Sequence, residues 1–224
     1  MKPNPLGSVR RMSLACGLGL AIWLVWGLPL ARAQNNVFIT TNRYQIQGQS
    51  IEELRRSLNQ LRPWKASARP HDAQTEWRTR MQYRTVTLPG IAWCTNFATV
   101  TQITMTLPGW TATNGASAAT LREWNRYLRA LAEHEAGHAR HAREGTLELH
   151  RRVKALEAQP DAETVRQRLD ALLAEVQQQV RQQDADYDRE TRHGATQGAL
   201  FPLPPGGPPP PPPPRAEPPA PAIP

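Results

Sequence analysis

Cysteine is almost absent from this chain of 224 residues: there are two, Cys16 and Cys94. Cys16 sits inside an apolar run near the N-terminus, so the rest of the chain keeps a single cysteine and has no internal disulfide. Cys94, beside Trp93, reads as a small buried hydrophobe. Long apolar runs are equally scarce, and the one at 14–30 has charged residues before it (Lys2, Arg10, Arg11) and Ala31-Arg32-Ala33 after it. That order is a secretory signal peptide over 1–33, which predicts export to the periplasm or the exterior with no membrane span after cleavage. A strong excess of one charge is missing too. Residues 1–33 hold four basic side chains and no acidic ones, so the net charge of +8 falls to +4 once they are removed. No Lys/Arg cluster is interleaved with aromatics, which excludes nucleic acid as a partner. Proline is sparse before Pro202, and 14 of the 22 prolines lie from there on, seven of them consecutive at 208–214. A disordered, extended tail over 202–224 is expected, suited to association with the cell envelope. What remains, 34–201, is the length of one domain.

Within that domain the first half reads as short strands around one helix. Residues 37–41 and 43–47 are strand-like, and Ser50-Ile51-Glu52-Glu53 has the form of a capping box opening a helix with Leu54, Leu58 and Leu61 on one face. Pro63 ends it. From Trp77 to Thr85 the odd positions are Trp, Thr, Met, Tyr and Thr, while the even ones are mostly Arg and Gln, as in a strand with one wet face. Pro89-Gly90 supplies a turn, and 91–107 returns as an antiparallel partner. The second half is helical. Thr120-Leu121-Arg122-Glu123 reads as a second capping box, and apolar positions recur every three or four residues to about 157. Pro160-Asp161 breaks that helix and caps the next, which ends near Glu190. The fold class expected is α+β: a small antiparallel sheet packed on two antiparallel helices.

The chemistry concentrates in His134-Glu135-Ala136-Gly137-His138. Residues four apart share one helix face, so the two imidazoles can converge on one zinc ion at about 2.0–2.1 Å each. Glu135 is rotated away from the ion and suits the general base that takes a proton from an attacking water. Both histidines lie on the apolar stripe, where an unpaired polar group is costly. His141 is seven residues beyond His134, about 10 Å along the axis, so it cannot join them on one ion while the helix is intact. A third ligand must come from the neighbouring helix or its exit. The best stretch is Tyr187-Asp188-Arg189-Glu190-Thr191-Arg192-His193-Gly194. His193, turned inward by a stop at Gly194, is the first choice; Asp188 is the alternative ligand or the carboxylate that orients a histidine. Tyr187 is a candidate donor to a developing oxyanion.

These two motifs, together with Thr106-Leu107-Pro108-Gly109-Trp110 upstream and Gln197-Gly198 downstream, resemble a bacterial family of predicted secreted zinc-dependent proteases, carried as a domain of unknown function. The resemblance implies a zincin-like metallopeptidase with Zn²⁺ as cofactor and a peptide or protein as substrate. It implies that His134, Glu135 and His138 are its motif residues, and it draws Asp188, Thr191 and His193 into the site. An edge strand within 102–107 is expected to align an extended substrate. Two other functions suit the same residues: a non-catalytic, zinc-stabilised envelope-binding module, and a cell-wall amidase.

Overall fold

The structure is a computed structural model that describes residues 34–64, 66, 71–111 and 115–204; the expected signal peptide, 1–33, and residues 205–224 of the expected tail lie outside them. The first strand, β1 (Gln34–Ile46), is continuous where the sequence suggests two short strands. It leads into α1 (Ile51–Leu61), whose capping box forms as expected: Ser50 accepts from the Glu53 amide, and the Glu53 carboxylate accepts from Ser50 N. Leu54 and Leu58 are fully buried, whereas Leu61 stays half exposed.

The long hairpin β2 (Gln74–Leu88) and β3 (Ile91–Trp110) is antiparallel, with Gly90 at φ 75° in its turn. β1 pairs with β3 in parallel, so the strand order is β1-β3-β2 and the sheet is mixed. The reason is topological. The chain leaves β1 through α1, enters the sheet one position away as β2, and the returning hairpin strand fills the gap. This corrects the expectation for 102–107, which belong to the central strand: 102–106 are paired on both sides and Leu107 with β1. The edges are β1 and β2.

α2 (Ala118–Lys154) and α3 (Ala162–Thr191) form the second half. α2 starts earlier than expected because Ser117, not Thr120, is its N-cap: Ser117 Oγ accepts from the Thr120 amide. Glu123 pairs instead with Arg126 and accepts from Leu203 N. Asp161 caps α3 as expected. Gln159, between the helices, exchanges two backbone bonds with Ala92 of β3.

One face of the sheet meets the helices. Ile103 packs on Ala139 and Ala142 of α2, with Val37, Trp77 and Met105 around them. Thr101, fully buried, bonds Thr79 across the hairpin at 3.0 Å and Thr146 of α2 at 2.7 Å. The far ends of the helices close over Leu149, Val165, Leu169, Val176 and Val180. Gly145 lets the two helices approach, since a Cβ there would run into Val180. The opposite face of β2 presents Glu76, Arg78, Arg80, Gln82 and Arg84 outward, as the alternation predicts.

Candidate metal centre

The antiparallel packing of α2 on α3 sets two ladders of polar side chains face to face. His134, His138 and His141 come from α2; Asp188 and Asp184, one turn apart, come from α3. Asp188 Oδ1 lies 3.1 Å from His134 Nε2 and 3.1 Å from His138 Nε2. These three residues form a group whose ligand atoms are all within 4.8 Å of one another. His134 and His138 are buried, as their place on the apolar stripe requires.

The outer nitrogens of the two rings are engaged as well. His138 Nδ1 is 3.0 Å from Asp184 Oδ1, and His134 Nδ1 is 3.0 Å from Gln197 Oε1. Both oxygens are acceptors, so the hydrogen-bond pattern assigns the ring proton to Nδ1 in each neutral histidine. Each Nε2 then carries a lone pair aimed at a carboxylate oxygen. Three lone pairs converge with no proton between them, and a cation is what completes such a set. In the metal-free protein a proton takes that part. Burial disfavours the charged His138 ring, but Asp184 and Asp188 outweigh it and push the imidazole up to about 10. Burial likewise acts to raise Asp188, and the His134 and His138 rings against it override that, holding the carboxyl well below its ordinary range. The donor set of two imidazole nitrogens and one carboxylate suits zinc.

Glu135, one position further along the helix than His134, lines the same cleft and is 4% exposed. Its Oε2 accepts from the Thr75 hydroxyl of β2 at 2.7 Å. Burial is the largest influence on Glu135 and raises its carboxyl above the usual range, against the opposing pull of Thr75 and the two histidines. Two residues along the same strand, Trp77 Nε1 donates to Asp184 Oδ2 at 2.9 Å. His141 Nδ1 reaches Asp184 Oδ1 at 2.9 Å, and so stands beside the centre without entering it.

His193 sits differently from Asp188. α3 ends at Thr191, and Arg192, His193 and Gly194 all have positive φ. This turn brings His193 Nδ1 to 3.4 Å from Asp188 Oδ2, with the side chain 51% exposed. His193 therefore meets the carboxylate from its outer side, while Asp188 converges with the two motif nitrogens. Thr191 Oγ1 bonds Tyr187 O at 2.7 Å and accepts from Gly194 N at 3.2 Å, which ties the turn together. A Cβ on Gly194 would lie 2.9 Å from His134 Cγ, so only glycine lets the turn press against that ring.

Tyr187 stacks on His134, with ring centroids 4.9 Å apart, and its hydroxyl is 3.0 Å from Gln197 Nε2. A Cβ on Gly137 would lie 2.5 Å from that hydroxyl, which explains a glycine between the two histidines. Tyr187 is thus behind the His134 ring, not among the residues that line the cleft. The helix-end polarity that makes Asp184 and Gln197 important is unremarkable in sequence. The only signal for Asp184 was its spacing of four from Asp188, mirroring the two histidines.

The centre opens onto a cleft of about 890 Å³. His134, His138, Glu135, Asp188 and His193 line one end, Arg55, Asn59, Arg62 and Asp72 the other. Tyr127, Leu131 and residues 199–202 form its walls. The 199–202 strap is held by Arg126, whose guanidinium donates to Gly198 O at 2.6 Å and Leu200 O at 2.5 Å. A groove of about 900 Å³ between the β2 edge and α3, lined by Gln74, Thr75, Thr79 and Gln177, shares Gln74 and Thr75 with this cleft.

No curated protein and no solved structure matches the chain. A family model described as a bacterial protein of unknown function (DUF922) matches residues 41–194, a span that runs from β1 through the whole ladder of histidines and aspartates to Gly194, and the chain belongs to that family.

Proposed function

We propose that the protein is an exported zinc-dependent hydrolase of peptide bonds, a metallopeptidase of zincin-like architecture. The observation that carries this reading is the convergence of His134 Nε2, His138 Nε2 and Asp188 Oδ1 in one cleft with the buried Glu135 carboxyl. Three protein ligands facing a cleft leave room for a water, as catalytic zinc sites require, whereas structural sites use four. A zinc ion held by His134, His138 and Asp188 would supply Lewis acidity and a water of lowered pKa.

The chain's own residues do the rest. Glu135 holds Oε2 against Thr75 and keeps Oε1 for the reacting proton, which it takes from the attacking water and passes to the leaving nitrogen. A raised carboxyl pKa suits both halves of that transfer, because a group poised nearer neutrality both accepts and returns a proton readily. Gln197 and Asp184 hold the two imidazoles in the tautomer that leaves Nε2 available. The free edge of β2 and its groove suit an extended chain lying beside Thr75.

Purified protein is expected to bind one zinc per chain and to cleave an unfolded protein substrate. In Glu135→Gln, zinc content is expected to stay while turnover falls by about 10²–10⁴-fold. Full turnover in that variant sinks the assignment of Glu135. Wild-type protein that binds zinc through a fourth protein ligand and cleaves neither peptide nor cell-wall amide favours a binding module.

A further inference from the structure

The end of the cleft opposite the histidines has an imbalance of its own. Among the described residues Asp72 is the single carboxylate there, and four donors saturate it. Arg55 grips both of its oxygens at 2.8 Å, Arg62 Nη1 reaches Oδ1 at 3.1 Å, and the Tyr127 hydroxyl reaches Oδ2 at 2.7 Å. Arg55 spends its remaining terminal capacity on Asn59 Oδ1 and Phe201 O. Among the described residues Arg62 spends one bond on Asp72, and the Nε atoms of both arginines are buried with no acceptor. Two guanidinium groups thus face one carboxylate that has no lone pair left to give.

We propose that this end of the cleft is a subsite for a carboxylate of the substrate, bound chiefly by Arg62. The net charge of the cluster is one positive unit, which matches a single carboxylate better than a dianion. The planar guanidinium fork suits a carboxylate in two-point contact, and Arg55 with Asp72 holds the fork's neighbourhood rigid before any ligand arrives. The apolar walls of Tyr127, Leu131 and Phe201 strengthen such a contact by keeping water away. The inference deepens the hydrolase reading by naming its substrate class: peptides with an anionic group, from a free C-terminus or an acidic side chain, a short distance from the bond that is cut.

The test uses an N-acetylated alanine-leucine tetrapeptide in three forms: free C-terminal carboxylate, C-terminal amide, and amide with one glutamate. Binding to metal-free protein is read by titration calorimetry, and cleavage by zinc-loaded protein is read by mass spectrometry. At least one anionic form is expected to bind about tenfold or more tightly than the neutral amide, and which one does so identifies the source of the carboxylate. Arg62→Gln is expected to erase that preference. Arg62→Lys, which keeps the charge and the partner Asp72, retains part of it and serves where Arg62→Gln does not fold. Equal or undetectable binding of all three peptides by wild type overturns the subsite, as does a preference that survives Arg62→Gln. Preference without cleavage leaves the subsite standing and removes the hydrolase reading; cleavage without preference does the reverse.

Discussion

Two of the carboxylates that line the cleft, Asp72 and Asp188, are built in opposite ways. Asp72 is surrounded by donors that carry their protons permanently: two guanidinium groups and a tyrosine hydroxyl. Asp188 is surrounded by acceptors, two Nε2 atoms whose rings have committed their protons to Gln197 and Asp184. The first cluster is complete as protein and has donors to spare. The second is complete only when a cation or an added proton joins it. Asp72 is the more buried, its side chain 12% exposed against 30% for Asp188, yet what makes the first a brace with donors to spare and the second a candidate cation site is the accounting of protons and lone pairs.

The largest effect is expected from removing the brace. Asp72→Asn leaves two arginines without their counter-ion, and about 3–5 kcal/mol of stability is expected to go, equally with and without zinc, in denaturant titrations. Acid sharpens the same point. Burial alone would raise Asp72, but Arg55, Tyr127 and Arg62 outweigh it and hold its carboxyl below the ordinary value. The stability it contributes is therefore whole above about pH 4 and fades as pH falls through the lower folded value. Wild type should lose stability in that acid range more steeply than Asp72→Asn; parallel profiles would contradict the role given to Asp72.

Asp188→Asn should do the converse. Metal-free stability should change less than in Asp72→Asn, while zinc affinity falls by about 100-fold or more. Zinc at 100 times its dissociation constant stabilises a protein by about 2.7 kcal/mol, and most of that gain should be missing from thermal melts of the variant. A variant that binds zinc as wild type does would leave His193 as the better ligand. The smallest effect tests the support behind the centre. Gly137→Ala places a Cβ against the Tyr187 hydroxyl, and overpacking of this kind costs about 1–3 kcal/mol. Because Tyr187 stacks on His134, zinc affinity should weaken with stability, and an unchanged affinity would mean that the stack does not hold the ring.

Much of the fold was legible in sequence because it rests on local rules. The Ser50–Glu53 box, the alternation along β2, the turn at Gly90 and the Asp161 cap each follow from residues within a few positions of one another. The misreadings have physical causes as local as the successes. Thr120 and Glu123 have the letters of a capping box, but Ser117 stands three residues earlier and takes the amide of Thr120. The parallel pairing of β1 with β3 leaves no mark in either strand, since it depends on which gap the hairpin fills.

The pair His134 and His138, with Glu135 between them, was determined by sequence alone, because helical periodicity puts residues four apart on one face wherever the helix goes. Which carboxylate meets them was decided by tertiary structure. Asp188 converges on both rings because α3 runs antiparallel to α2 in one register, held by Gly145 against Val180 and by the apolar seam beyond it. A slip of one turn would present Asp184 instead, and no pattern within α3 by itself distinguishes these outcomes. The arginine end of the cleft is likewise a product of packing, since α1, the start of β2 and the 199–202 strap meet there from three distant parts of the chain.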